Sequence, residues 1–289
     1  MTTNEWLILA TEELEIAGIG TPRLDCLVLL ENVLIVDRAQ ILANPDTEIS
    51  SKKIAQLAKL LNRRTKHEPI AYILGRSEFY GREFIIDSNV LVPRPESEAI
   101  IDMFIDLIKV RPCKCAGKDC ACRWKVADVG CGSGALGITA ALEVPNLTVE
   151  MLEIDEKAIE IAKINVDKFT IGISVIKSKL IQEASADNDI LLCNLPYVPD
   201  EYAINTAATH EPDIALFGGP DGLDLYRELF SQIEVAQHKP LYLLIESLPS
   251  QHAVLANIAD SSGYALTKTN DFIQLYEFKK PNNKPACVC

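Results

Sequence analysis

The segment VADVGCGSGALGI places Gly130, Gly132 and Gly134 directly after an apolar run of strand length, with Ala135, Leu136 and Ile138 opening a helical pattern. Glycines in such a turn permit left-handed backbone and close approach of a ligand, and the helix start adds unpaired N–H groups. The spacing is G-x-G-x-G, not the dinucleotide G-x-G-x-x-G. It suits S-adenosylmethionine, whose adenosine and methionyl parts can straddle Gly130, Cys131, Gly132, Ser133 and Gly134, better than a nicotinamide cofactor; a bare structural turn is the alternative. The next apolar run, TVEMLEI, carries Glu153 at its end, 19 residues past Gly134, where a carboxylate accepts ribose hydroxyls. Asp155 is better placed to cap the following helix, and both acids would also serve simply to solvate the loop. Asp128 lies inside the first apolar run, where a carboxylate is costly unless it meets donors. It would orient the glycine loop or the cosubstrate amine.

A second constellation ends the run DILLCNLPYVPD. Asn194 offers both a carbonyl and an amino group. Pro196 drives Leu195 into an extended conformation and directs its carbonyl, and Tyr197 supplies a ring to stack on a small planar group. An ordinary strand-ending turn uses the same residue types, but a place at the carboxyl edge of a sheet, opposite the glycine loop, favours binding. Because Pro196 already restrains residue 195, Leu195→Pro is expected to be neutral or favourable unless the Leu195 N–H is hydrogen-bonded. A third cluster, Cys113, Cys115, Cys120 and Cys122, would give a tetrahedral thiolate site for structural zinc, its charge offset by Lys114, Lys118, Arg123 and Lys125. The one-residue spacing within each pair is shorter than usual, so a linker that binds nothing is the alternative. Cys26, Cys131 and Cys193 sit in apolar runs as small core residues.

The elements that must position these groups fall into two architectures. Thr2 with Glu5, Thr21-Pro22, Asp37 with Gln40, and Ser50 or Ser51 each announce a helix start, so residues 1–75 read as a helical bundle. Residues 76–110 read as a hairpin turning around Asp87-Ser88-Asn89, then an amphipathic linking helix, with 111–125 as a Cys-rich insertion. From 126 to 279 the chain alternates strand and helix and ends in two strands joined at Asn270-Asp271. This predicts an α/β fold, a Rossmann-like parallel sheet with a terminal antiparallel hairpin, followed by a loose tail at 280–289.

Composition narrows the function. The 289 residues carry 28 Lys+Arg against 41 Asp+Glu, a net charge of −13, and 48% are hydrophobic. That fills real cores and leaves no basic stripe for gripping nucleic acid. No apolar run is long enough to span a bilayer, and MTTNEWLILATEELEI lacks the basic start of a signal peptide. A cytoplasmic protein, monomeric and free of membrane and nucleic acid, is expected.

The chain resembles the bacterial protein-(glutamine-N5) methyltransferases that modify peptide chain release factors, the HemK/PrmC family. The likeness is carried by HEPIAYILGRSEFYGREF at 67–84, VLVPRPESEAI at 90–100, DVGCGSGALGI at 128–138, NLPY at 194–197, the EP and LFGGPDGLDLYR segments within 211–227, and LLIES at 243–247. The resemblance implies that the glycine loop wraps the methionyl part of S-adenosylmethionine and that Glu153 is the ribose carboxylate. It further implies that Asn194, Leu195, Pro196 and Tyr197 hold the substrate glutamine beside an apolar wall at Leu91. It places Glu246 as the acid closing the fifth strand, and implies that the N-terminal bundle docks a class I release factor. Leu195 replaces the first proline of the family's Asn-Pro-Pro-Tyr, Lys179 stands where relatives commonly carry an acid near the adenine, and Thr209 where they often carry an arginine. Two alternatives share features of this pattern: a nucleic-acid adenine-N6 methyltransferase, disfavoured by the charge, and a weak or inactive homologue that only binds a release factor.

Overall fold

The structure, a computed structural model, describes residues 1–110 and 123–279. The chain forms two compact units, the first made of Met1–Arg76 with Ile204–His210, the second of the described residues of Ser77–Ala203 and from Glu211 onward. The proposed zinc cysteines, Cys113, Cys115, Cys120 and Cys122, lie outside the described residues. Among the described residues, no cluster of three or more His, Cys, Asp and Glu is placed to hold a metal, and no helix is long and apolar enough to cross a membrane.

In the first unit, helices α1 (Thr3–Ile16), α2 (Pro22–Leu34), α3 (Arg38–Ala43), α4 (Ser51–Arg64) and α5 (Ile70–Leu74) surround Trp6, Leu14, Leu29, Leu30 and Leu57. Two of the cap signals act through their side chains, while Thr21 and Ser50 stand at the N-caps of α2 and α4 without a side-chain cap bond. Thr2 and Glu5 close a reciprocal capping box on α1, and Asp37 accepts from Gln40 N at α3. Pro22 occupies the first turn of α2. Inside the bundle, Asp25 accepts from Arg64 Nε at 2.6 Å and from Thr21 Oγ1 at 2.9 Å.

The second unit opens with strands β1 (Arg76–Phe79) and β2 (Arg82–Ile85), a hairpin of its own. The turn falls at Tyr80-Gly81 and not at Asp87-Ser88-Asn89. Both turn residues take positive φ, 51° and 69°, the backbone that matches the twist of a two-residue hairpin. Asp87 instead folds its carboxylate onto Asn89 N in a local loop at 2.8 Å. A 3-10 turn at Pro95–Ser97 leads into α6 (Glu98–Val110).

Next come β3 (Lys125–Val129), α7 (Ala135–Glu143), β4 (Thr148–Glu153), α8 (Glu156–Phe169), β5 (Ser174–Lys177) and β6 (Ile190–Cys193). They are followed by α9 (Asp213–Leu216), α10 (Asp224–Val235), β7 (Tyr242–Glu246), α11 (His252–Ser261), β8 (Tyr264–Asn270) and β9 (Ile273–Phe278). The seven-stranded sheet runs β5-β4-β3-β6-β7-β9-β8; the first five are parallel, and β9 lies antiparallel between β7 and β8. Strand alternation splits the core. Val126, Leu192 and Leu244 face one layer with Ile100, Phe104 and Ile138; Ala127, Leu191, Leu243 and Ile245 face the other with Tyr226, Phe230 and Leu255. This is the α/β sheet with terminal hairpin that the sequence predicts.

The Asp25–Arg64 pair is largely dry, with side chains 7% and 12% exposed. Removing one partner leaves a buried charge, so Arg64→Met should lower the unfolding free energy by roughly 3 kcal/mol in urea denaturation. A loss under about 1 kcal/mol would mean that solvent already compensates Asp25.

Candidate active site

The order reversal between β3 and β6 opens a crevice at the carboxyl ends of the parallel strands, the usual ligand position in such sheets. A cavity of about 200 Å³ fills it. Its wall includes Leu91, Gly130, Cys131, Gly132, Ser133, Glu153, Asn194, Leu195 and Pro196. Asp128, Gly134 and Tyr197, named with them from sequence, lie behind that wall.

The glycine turn is built for a close backbone. Gly130, Gly132 and Gly134 all have positive φ, and a Cβ on Gly130 would come within 2.9 Å of Leu195 Cδ2. Glu153, buried at the end of β4, holds the turn: Oε2 accepts from Gly132 N at 3.0 Å, and Oε1 from Ile154 N at 2.8 Å and Asp155 N at 3.1 Å. A carboxylate offers about four acceptor positions, so one on Oε2 remains for a hydroxyl. Asp155 caps α8 through Lys157 N and Ala158 N.

Asp128 serves the loop from beneath. Its Oδ2 accepts from Gly137 N at 2.7 Å, and Oδ1 is buried without a partner. That bond exists because residue 137 has no side chain; a Cβ there would sit 2.9 Å from Met151 Cγ and 3.0 Å from Asp128 Cβ. Burial is the main cause that pushes the Asp128 carboxyl up to about 7. The sequence does not announce Asn165, fully buried on α8. It donates to Ser133 O at 2.9 Å and exchanges both hydrogen bonds with the main chain of Ile85, tying the loop to β2.

The turn after β6 is braced from three sides. Asn194 Nδ2 donates to Ser97 Oγ at 2.9 Å, from the Pro95–Ser97 turn, which leaves the acceptor Oδ1 as the free end of the amide. Tyr197 does not present its ring to the cavity; its hydroxyl donates to Glu246 at 2.9 Å. Gln251 Nε2 donates to Tyr197 O at 2.8 Å. The GGPDG segment packs against the same backbone so closely that a Cβ on Gly222 would lie 2.1 Å from Tyr197 O, and one on Gly218 2.3 Å from Pro196 O. Arg94 of the Pro-Arg-Pro turn lines the cavity and pairs with buried Glu211 at 2.6 Å, which accounts for the PRP and EP segments together.

Two substitutions noted from sequence also find partners. Lys179 turns its ammonium to Glu228 at 2.7 Å, and exposed Thr209 donates to Thr206 O at 2.7 Å. Leu195 is not free to become proline. Its buried N–H donates to Tyr226 Oη at 3.3 Å, and that hydroxyl donates to Glu246 O.

These residues fit S-adenosylmethionine: left-handed glycines clear the backbone for the methionyl part, Glu153 keeps an acceptor for the ribose, and Leu180 and Ala158 offer apolar wall for an adenine. Fold and site together define an S-adenosylmethionine-dependent methyltransferase. The comparisons take this further. Residues 5–75 match the PrmC N-terminal domain and 118–211 the Methyltransferase small domain. A release factor glutamine methyltransferase of Koribacter versatilis is 33% identical over 81% of this chain and 81% of that protein. That of Coxiella burnetii is 32% identical over 84% and 85%. The chain belongs to the release factor glutamine methyltransferase family. It is also 36% identical over 75% of its length to a bifunctional methyltransferase of Rickettsia conorii, of whose length it spans 45%. At the level of fold alone it is similar to the catalytic domain of hMettl16, with TM-score 0.52 and 13% identity over 81% of this chain and 84% of that one.

Two outcomes test this geometry. Leu195→Pro should cost about 1 kcal/mol more in the native background than in Tyr226→Phe, where the Leu195 N–H has already lost its acceptor. Equal costs would remove that bond from the turn. Asp128→Asn keeps an acceptor for Gly137 N–H and removes the ionisation. Between about pH 4 and the raised value of about 7, the unfolded chain releases this proton while the folded state retains it, so this group makes stability fall as pH rises. The stability of Asp128→Asn relative to the native protein should therefore climb across that window in denaturant titrations. A flat difference would mean that Asp128 is ionised throughout.

Proposed function

We propose that this chain transfers a methyl group from S-adenosylmethionine to the side-chain amide nitrogen of a glutamine in a class I peptide chain release factor. The observation that carries the proposal is the anchored Asn194, whose amino group is spent on Ser97 and whose carbonyl is left for an amide N–H. Family membership supports the same substrate.

The cofactor supplies a methyl on sulfonium, already electrophilic, so the task left to the protein is alignment. An amide nitrogen is a poor nucleophile because its lone pair is delocalised into the carbonyl, and holding it in line with the methyl recovers much of the barrier. In this reading Asn194 Oδ1 and the Leu195 carbonyl accept the two amide hydrogens, and both bonds strengthen as positive charge develops on nitrogen. Pro196 fixes the direction of that carbonyl, and Leu91 gives the glutamine methylenes an apolar wall. Glu153 and the Gly130–Gly134 turn seat the cofactor. The methylated amide is acidic enough to release its proton to water, so a strong base is not required. The helical unit would dock the release factor. The net charge of −13 disfavours an adenine in nucleic acid as the acceptor.

Incubation with S-adenosylmethionine and intact release factor should yield a glutamine heavier by one methyl group in mass spectrometry. Asn194→Ala should lower kcat by about a hundredfold while leaving cofactor affinity in place. No methylated glutamine after prolonged incubation would overturn the assignment.

A further inference from the structure

The β1–β2 hairpin, which leads into the cavity wall, stands outside the seven-stranded sheet, and a two-stranded ribbon is marginal by itself in water. Its turn end is held by acids of α6 and α7: Glu98 accepts from Tyr80 N at 2.8 Å, and Glu143 pairs with Arg82 at 2.5 Å. Its open end rests on α8, where Asn165, Lys168 and Phe169 share one face at the spacing of a helical turn. Lys168 Nζ donates to Glu83 O at 2.6 Å, and the Phe169 ring lies 5.0 Å from that of buried Phe84.

Asn165 does more than fasten a strand. It is fully buried and bonds Ile85, the last residue of β2. Oδ1 accepts from Ile85 N at 2.8 Å and Nδ2 donates to Ile85 O at 2.8 Å, the reciprocal pair that a neighbouring strand would give. A primary amide has a second N–H to donate, and here it goes to Ser133 O at 2.9 Å, in the glycine turn. Both donors are thereby spent on main chain from separate parts of the site. Ser133 lines the cofactor side of the cavity, and shortly after Ile85 the chain supplies Asn89, Val90 and Leu91 to its wall.

We propose that Asn165 is a positioning residue that locks the substrate-side wall to the cofactor loop, so that seating the cofactor also fixes the wall against which the glutamine packs. The substrate half of this rests on the reading of Leu91 as that wall; the cofactor half does not. Ile85 itself is not among the residues lining the cavity, so its N–H reports on the joint without touching a ligand.

The experiment uses the full-length protein. In hydrogen exchange followed by NMR, S-adenosylhomocysteine should slow exchange at Ile85 N–H by about fivefold or more, because the loop it orders holds the amide that pairs with Ile85. Asn165→Leu has nearly the same shape and none of the three bonds. It should weaken cofactor affinity about tenfold or more in calorimetry and raise KM for intact release factor severalfold, with a smaller change in kcat. Lys168→Met loosens the same hairpin without reaching the loop, and should raise KM with cofactor affinity within about twofold of native. A merely structural Asn165 would lower the unfolding midpoint and leave both affinities in place. Native cofactor affinity in folded Asn165→Leu, an equal fall in Lys168→Met, or Ile85 exchange indifferent to the ligand overturns the proposal. If Asn165→Leu does not fold, the exchange measurement decides alone. Leu91→Ala separates this proposal from the reading of the wall. A raised KM there with native KM in Asn165→Leu overturns this proposal alone; native KM in Leu91→Ala overturns the reading of the wall and the substrate half with it.

Discussion

The last two residues of β4, one through its carbonyl and one through its carboxylate, keep the glycine turn in the shape a ligand needs. Gly130, Gly132 and Gly134 are all left-handed, and such a run has few hydrogen bonds to offer itself. The end of β4 supplies them: Leu152 O accepts from Gly130 N and Cys131 N, and the Glu153 carboxylate collects the N–H groups of Gly132, Ile154 and Asp155. Hydrogen bonds to a charged group are each worth about 1.5–3 kcal/mol. Because this acid hangs from the strand beside β3, the turn is set by the sheet register and not by its own sequence. The same negative charge, with Asp128 beneath, adds to burial in keeping the Cys131 thiol protonated, so this cysteine sits at the cavity as a small apolar group.

The opposite wall obeys a different logic. Apart from the Tyr197 hydroxyl on Glu246, the turn at Asn194–Tyr197 relies on close main-chain packing. Gly218 and Gly222 let one backbone lie against another, and Gln251 reaches in to satisfy Tyr197 O. The GGPDGLDLYR segment is thus the mould around the turn, which explains why a stretch with no obvious reactive group accompanies it in the chain. Tyr226, within that mould, bridges Leu195 N to the last residue of β7. Leucine at 195 is accommodated by adding a hydrogen bond that a proline there would not make.

Local chemistry made the fold legible. Capping residues, a proline in a first helical turn and apolar runs of strand length are near-neighbour signals, and the helices and strands appear where those signals stand. The hairpin turn was misplaced because Asp87-Ser88-Asn89 has stronger turn composition than Tyr80-Gly81, whose fitness lies in two positive φ angles. At the cavity, the glycine turn, Glu153 and Asn194 can be picked out by their place after apolar runs. Ser97, Asn165 and Gln251 cannot, since each matters through a partner between 54 and 97 residues away. Tyr197 illustrates the limit: residue type indicated a ring stacked on a ligand, and only tertiary geometry shows its hydroxyl on Glu246. Asp128, by contrast, bonds Gly137 N beneath the glycine loop, one of the two roles its place in the first strand suggested.

The terminal hairpin has a consequence for how the chain is made. Its second strand, β9, is the one that pairs with β7, while β8, earlier in sequence, lies at the rim. During synthesis, β7 emerges with an open edge of Leu243, Leu244 and Ile245 and must wait for Ile273–Phe278 to cover it. Uncovered apolar edges recruit other strands, including those of neighbouring nascent chains. The half-finished sheet is therefore at its stickiest between the emergence of β7 and that of β9, and a ribosome that stalls there would hold a species prone to aggregate or to attract chaperones.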